Sequence, residues 1–275
     1  MTEYTRDFFI ANGKLLAVEA FDGFFSPELH YIYEVFRIID GIPLFVEDHL
    51  DRFFQTTLLA GADPDCDRKQ LFNEIKTLIS ANKGGEGNIK ISIVQGKSGF
   101  QNLLLYFTPH QYPTPEQFAN GVAVKLLDAE RKNPNAKVMD ITLRAETDQI
   151  KQADEVYEVL LVDQYGYITE GSRSNVFFII GDEVITPPLE TVLPGVTRKH
   201  VMHLCEAHNI RLSEQKIHRN DLLKVDCLFL SGTSRKVLPI GRVDDSIYPT
   251  NNELLRLLIR LFDQHVLGYI STHRN

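Results

Sequence analysis

Three cysteines in 275 residues, at 66, 205 and 227, are too few and too widely spaced for a disulfide framework, and no Cys-x-x-Cys pair is present. They read as inert core thiols in a reducing compartment, because an unpaired cysteine packs as a small hydrophobe. No apolar run approaches the roughly 18 residues that a membrane helix needs. The opening MTEYTRDFFIANGK has acidic and polar residues where a secretory signal needs a basic start and an apolar block. Positive charge is short as well: 29 Lys and Arg stand against 37 Asp and Glu, a formal net charge of −8. Such a surface repels phosphate backbones on average, which argues against nucleic acid as the main partner but leaves room for a local cationic pocket for one small anion. Repeats and low-complexity tracts are also missing. What is there is ordinary: 43% hydrophobic and 24% charged residues, enough for one or two domains with a real core. The expectation is a soluble cytoplasmic protein.

Asn12-Gly13 and Asp40-Gly41 each sit between runs rich in β-formers, and both dipeptides favour the tight turn of a hairpin. From about Glu47 the period turns helical, with Leu50, Phe53, Phe54, Thr57 and Leu58 on one face and Gly61 as the stop. A second amphipathic helix is expected over 69–81, then strands over 88–94 and 103–108. Residues 109–117 hold three prolines and little apolar content and read as a linker. The domains expected are a smaller N-terminal α/β domain over 1–111, a linker over 112–118 and a larger C-terminal α/β domain over 119–275. In the second half the patterns predict strands over 122–127 and 156–162 and a helix over roughly 142–153. A hairpin at Gly181-Asp182, a helix over 196–207, a short strand over 227–230 and an amphipathic helix near 252–267 follow. The class is α/β, or α+β, with two lobes.

Several suggestive motifs fail. Gln95-Gly96-Lys97-Ser98 looks like the end of a phosphate-binding loop, but Ile91 stands where the motif's first glycine belongs and a strand follows instead of a helix. His200, His203, Cys205 and His208 crowd one helix at spacings of three and five, so no His-x-x-x-His face forms and no metal is expected.

Three segments carry chemistry together. Thr169 to Asn175 is a polar loop leading into a buried strand. Leu193-Pro194-Gly195-Val196-Thr197-Arg198 puts Thr197 on the first turn of a helix, and Ser231-Gly232-Thr233-Ser234 is a small-residue loop after a strand. Unsatisfied N–H groups at a helix start, a hydroxyl and a second small loop can hold one phosphate, with Arg52 as a candidate cation.

This set resembles the class IV aminotransferases, the fold-type IV pyridoxal-phosphate enzymes. Tyr33-Glu34-Val35-Phe36-Arg37, Asp40-Gly41 and His49-Leu50-Asp51-Arg52 are similar to the family's N-terminal signature. Thr169-Glu170-Gly171-Ser172 with Ser174-Asn175-Val176-Phe177 is similar to its most specific block, and Leu193 to Arg198 and Gly232-Thr233 continue in order. The resemblance implies two lobes with the active site at their junction, bound pyridoxal 5′-phosphate and a homodimer. It implies that Lys137, 33 residues before Glu170, is the Schiff-base (aldimine) lysine and shuttles the substrate's proton. Glu170 then pairs with the pyridine nitrogen, Arg52, Val196, Thr197, Gly232 and Thr233 form the phosphate cup, and Tyr33 faces the substrate.

The activity implied is transfer of an amino group from an amino acid to a 2-oxo acid, with branched-chain-type substrates slightly favoured. The segment 95–99 lacks the Arg-x-x-x-His pattern associated with D-amino acids. The alternatives are a 4-amino-4-deoxychorismate lyase that releases pyruvate and a non-catalytic pyridoxal-phosphate-binding protein. The chain departs from the family pattern at Pro27 to His30, at Met139-Asp140 and at Arg235-Lys236, which follow Gly-Thr where an acid is common.

Overall fold

A computed structural model describes residues 3–25, 31–95 and 101–274. The chain divides into two compact units: Met1–Gln111 with Ala136–Ile141 and Leu267–Asn275, and Tyr112–Asn135 with Thr142–Val266. The segments 136–141 and 267–275 thus belong to the first unit, although the expected boundaries place them in the C-terminal domain.

In the first unit, β1 (Phe8–Ala11) and β2 (Lys14–Ala17) form a hairpin, as do β3 (Tyr31–Ile39) and the short β4 (Ile42–Pro43). Both turns have positive φ at their two central residues, 49° and 77° at Asn12 and Gly13 and 52° and 76° at Asp40 and Gly41, as a type I′ turn requires. With β5 (Gly87–Gln95) and β6 (Gln101–Thr108) they make a six-stranded antiparallel sheet in the order β2-β1-β6-β5-β3-β4. One face packs α1 (Val46–Leu59) and α2 (Arg68–Ala81) through Ile32, Phe36, Phe53, Leu71, Ile89 and Phe107. Burial of each such side chain stabilises by about 1.5–3 kcal/mol. Asp67 caps α2 by accepting the Gln70 N–H at 2.8 Å. The other face is aromatic, with Phe9, Phe21, Tyr31 and Tyr106 around Met139.

Residues 137–139 extend this sheet at the edge of β3. Tyr33 N–H donates to the Lys137 carbonyl at 3.1 Å, Met139 N–H donates to the Tyr31 carbonyl at 2.9 Å, and Ile32 bridges Val138. Backbone pairing, and burial of Met139 under the aromatic face, explain why this stretch joins the first unit.

The second unit opens with α3 (Pro115–Asn120), so the proline-rich stretch expected as a linker runs into a helix. A capping box explains it: the Thr114 hydroxyl accepts the Gln117 N–H, and the Gln117 side chain accepts the Thr114 N–H. There follow β7 (Val122–Asp128), α4 (Ile141–Ala153, whose first residue belongs to the first unit), β8 (Glu158–Val162), β9 (Tyr167–Gly171), β10 (Asn175–Ile180) and β11 (Glu183–Thr186). Then come α5 (Val196–Ala207), β12 (Arg211–Glu214), β13 (Ile217–His218), β14 (Cys227–Gly232), β15 (Lys236–Val243), β16 (Ser246–Ile247) and α6 (Glu253–His273), whose last turns from Leu267 belong to the first unit. The mixed sheet runs β12-β11-β10-β14-β15-β7-β8-β9-β13, with β16 on β15. Its core includes Val124, Leu160, Val176, Leu228 and Ile240.

Two sequence expectations need correction. Thr169 to Asn175 is no open loop, since β9 runs to Gly171 and β10 starts at Asn175. Nor is 231–234 a loop: β14 continues through Gly232, Gly232 pairs with Lys236 on β15, and only a tight turn separates them. Thr169, Glu170, Ser172, Ser174, Asn175 and Ser231 are buried while Thr233 and Ser234 are half-buried, and the Ser172 and Ser174 hydroxyls donate to Glu158 beneath them. All three cysteines are free, and burial pushes the Cys205 thiol up to about 11 and the Cys227 thiol up to about 12. Among the described residues no helix is long and apolar enough to cross a membrane.

Gly121, at the end of α3, has φ +75°, and a Cβ there would lie 2.6 Å from the Gly241 backbone nitrogen. Gly121→Ala should therefore cost about 1–3 kcal/mol, seen as a lower urea midpoint at unchanged slope. An unchanged midpoint would contradict this account of the turn.

Candidate functional site

In the first unit, Glu34 on β3 points towards α1 and is fully buried. Arg52 grips it with two nitrogens, Nε to Oε2 at 2.8 Å and Nη2 to Oε1 at 2.6 Å, while His49 Nδ1 donates to Oε1 at 3.0 Å. His49 and Arg52 lie three apart on one helix face, so both reach the same strand residue. Burial alone raises a carboxyl, but the Arg52 charge and the His49 bond overcome it and hold Glu34 far below the usual carboxylate range. Burial also lowers His49, against the pull of Glu34, so the imidazole stays neutral.

Lys137 is half-buried, and its Nζ lies 4.7 Å from the centre of the Tyr33 ring. Its backbone N–H faces the Thr56 hydroxyl of α1 at 3.4 Å. Lys90 Nζ stands 5.6 Å from the same Tyr33 ring and donates to Tyr31 Oη and Glu3 Oε2, each at 3.1 Å. Burial opposes the Lys90 charge, but Tyr106, Tyr31 and Glu3 more than offset it and push its pKa up.

In the second unit, Glu170 is buried at the end of β9. Arg131 Nε lies 2.7 Å from its Oε1, and Oε2 accepts the Leu193 N–H at 3.1 Å. Arg131 Nη2 also donates to the Ser172 carbonyl at 2.5 Å. Two residues beyond Leu193, Gly195 caps α5 without a side-chain acceptor, leaving the helix start open to an anion. Gly195 is required there, because a Cβ would fall 1.9 Å from Asn175 Oδ1, while Asn175 Nδ2 holds the Leu193 carbonyl at 2.9 Å. Val196 and Thr197, both buried, form the first turn. Gly232 ends β14, and the Arg235 N–H closes the following turn on its carbonyl at 3.0 Å.

The first unit thus gathers Tyr33 and Lys137, and holds Arg52 on Glu34. The second joins Glu170, through Leu193, to the helix start at Val196 and Thr197, and carries Gly232 and Thr233 on a neighbouring turn. Arg131 and Lys90 escaped the sequence reading. Arg131 lies in a polar stretch without a periodic pattern and Lys90 within the strand expected over 88–94, and only partners distant in sequence reveal the part of each. Arg173 is bound to Asp148. The readings on 27–30 and 96–99 lie outside the described residues.

The family model described as amino-transferase class IV matches residues 31–243. By sequence the chain is 27% identical over 224 residues to the D-alanine aminotransferase of Bacillus licheniformis, with 78% of each chain covered. To the branched-chain-amino-acid aminotransferase of Pseudomonas aeruginosa it is 24% identical over 241 residues, again 78% of each. In structure it is similar to the branched-chain amino acid aminotransferase of Escherichia coli, with a TM-score of 0.86 at 19% identity over 96% of each chain. The last comparison shows the fold, the fold-type IV architecture expected from the sequence.

Because the folded pKa of Glu34 lies below its ordinary value of 4.5, its contribution to stability is complete above that pH and is withdrawn as pH falls below it. Glu34→Gln strands Arg52 in a buried site, at a cost of about 3–5 kcal/mol near neutrality. The variant should also lose stability less steeply on acidification. Melting temperatures of both proteins from about pH 7 to about pH 3 check this, and parallel curves would contradict it.

Proposed function

The chain belongs to the class IV aminotransferase family, and from that premise we propose that it is a pyridoxal 5′-phosphate-dependent enzyme moving an amino group from an amino acid to a 2-oxo acid. The observation that carries the reading is Glu170, a buried carboxylate held beside Arg131 within 2.7 Å, where a ring nitrogen would find a counter-charge.

The residues fit the cofactor by their donor chemistry. The open start of α5 at Val196 and Thr197 and the turn at Gly232 and Thr233 suit a phosphate, while Arg52 of the first unit has two of its nitrogens committed to Glu34. When bound, the cofactor supplies an aldehyde that captures amino groups and a ring that draws electrons from the captured carbon. Lys137 Nζ would be the amine that binds the cofactor's aldehyde, and once released it would accept the proton from the substrate's α-carbon. Glu170 would serve as the acidic partner of the ring nitrogen, and Arg131 holds its carboxylate in place. Tyr33 borders the substrate and packs on the Lys137 amine, fixing its position. Branched-chain-type amino acids are the first substrates to try, and a cytoplasmic homodimer is the assembly this reading carries with it.

Purified protein loaded with pyridoxal phosphate should show a yellow band that one amino donor bleaches and a 2-oxo acid restores. Lys137→Ala should lack the band and lose at least about 100-fold in turnover. A band that no donor bleaches would overturn the transaminase reading. Pyruvate released from aminodeoxychorismate would then identify a lyase, and no turnover of either kind a cofactor-binding protein without catalysis.

A further inference from the structure

Glu158, the first residue of β8, is fully buried and takes no part in the chemistry above. It accepts five contacts. Oε1 receives the Ser172 hydroxyl at 2.5 Å and the Val159 N–H at 3.0 Å. Oε2 receives the Ser174 hydroxyl at 3.1 Å, the Arg173 N–H at 3.3 Å and Arg235 Nη2 at 3.0 Å. Arg235 reaches in the other direction too: its Nη1 donates to the Arg173 carbonyl at 3.0 Å, and its guanidinium lies 5.4 Å from the centre of the Tyr157 ring. This arginine is one of the departures from the family pattern noted in the sequence, and its backbone N–H closes the turn on Gly232.

The result is a continuous path inside one unit. Glu170 binds Arg131, Arg131 holds the Ser172 carbonyl, the Ser172 hydroxyl binds Glu158, and Glu158 binds Arg235 on the Gly232–Thr233 turn. Guanidinium is suited to the last step, because its planar fork serves a carboxylate and a carbonyl at once where a single ammonium cannot.

We propose that the Glu158–Arg235 pair is a positioning device that fixes the Gly232–Thr233 turn relative to Glu170, so that the phosphate-binding end of the site is set by a side chain that touches neither cofactor nor substrate. The proposal rests on the cofactor assignment made above. The pair acts on the phosphate end specifically, because Glu170 keeps Arg131 and the Leu193 N–H when the pair is removed.

The test compares pyridoxal phosphate with pyridoxal, which lacks the phosphate, by equilibrium dialysis against cofactor-free protein. Removing one partner alone strands a buried charge, so the main variant is the double substitution Glu158→Gln with Arg235→Gln, which keeps hydrogen-bonding groups and removes both charges. Its affinity for pyridoxal phosphate should fall about 10- to 100-fold, the usual scale for a residue behind a ligand-binding group, while that for pyridoxal changes by less than about threefold. Arg235→Lys should show a smaller loss with the same selectivity, and it carries the test if the double variant does not fold. A folded variant whose preference for the phosphorylated compound equals that of the wild type overturns the proposal, even if both affinities drop together, since a merely structural role predicts that. A wild type that binds pyridoxal phosphate with an unaltered ratio in the variants sinks the positioning role alone. A wild type that binds neither compound sinks the cofactor assignment with it.

Discussion

A carboxylate taken out of water is costly unless a cation answers it, and among the described residues three buried glutamates are each answered by an arginine. Glu34 is gripped by Arg52, Glu170 by Arg131 and Glu158 by Arg235, and all three carboxylates are buried. An unanswered buried charge costs several kcal/mol per ion after relaxation. Each pair therefore ties together segments that hydrophobic packing alone would leave free to shift. The first fixes α1 on β3, the second fixes the stretch before α4 on the end of β9, and the third fixes the β14–β15 turn on β8.

The proposed chemistry sits on these ties. Lys137 owes its place to the backbone, because residues 137–139 pair with Tyr31–Tyr33 at the edge of β3, the strand that carries Glu34. Its neighbour Tyr33 is a side chain of that same strand, so the amine and the ring it packs on are set by one register. In the second unit Glu170 is bound on both oxygens, by Arg131 and by the N–H of Leu193, and the Leu193 carbonyl is held by Asn175 just before α5 begins. A carboxylate and a helix start are thereby held by one short set of bonds, which is the preorganisation that charge stabilisation needs.

Much of this was legible in the sequence because it is local. The Asn12-Gly13 and Asp40-Gly41 turns, the period of α1 and α2, and the start of α5 at Val196 follow from turn chemistry and periodicity within a dozen residues. The order of motifs around Glu170 and Gly232 carried the family. What escaped depends on partners far apart in the chain. Residues 137–139 are too few to show a strand pattern. The polar run at 169–175 reads as solvent-facing until Glu158 is seen beneath Ser172 and Ser174. Arg131 and Arg235 look like surface arginines, since only the fold brings a carboxylate to each.

The central claim is that Lys137 is the amine that holds pyridoxal phosphate. Borohydride reduction of the loaded protein, followed by digestion and mass spectrometry of the peptides, tests it without requiring any substrate. The account predicts a pyridoxyl-phosphate adduct on the peptide that contains Lys137, confined to that side chain. An adduct on another lysine instead, or no adduct on any peptide, would contradict it.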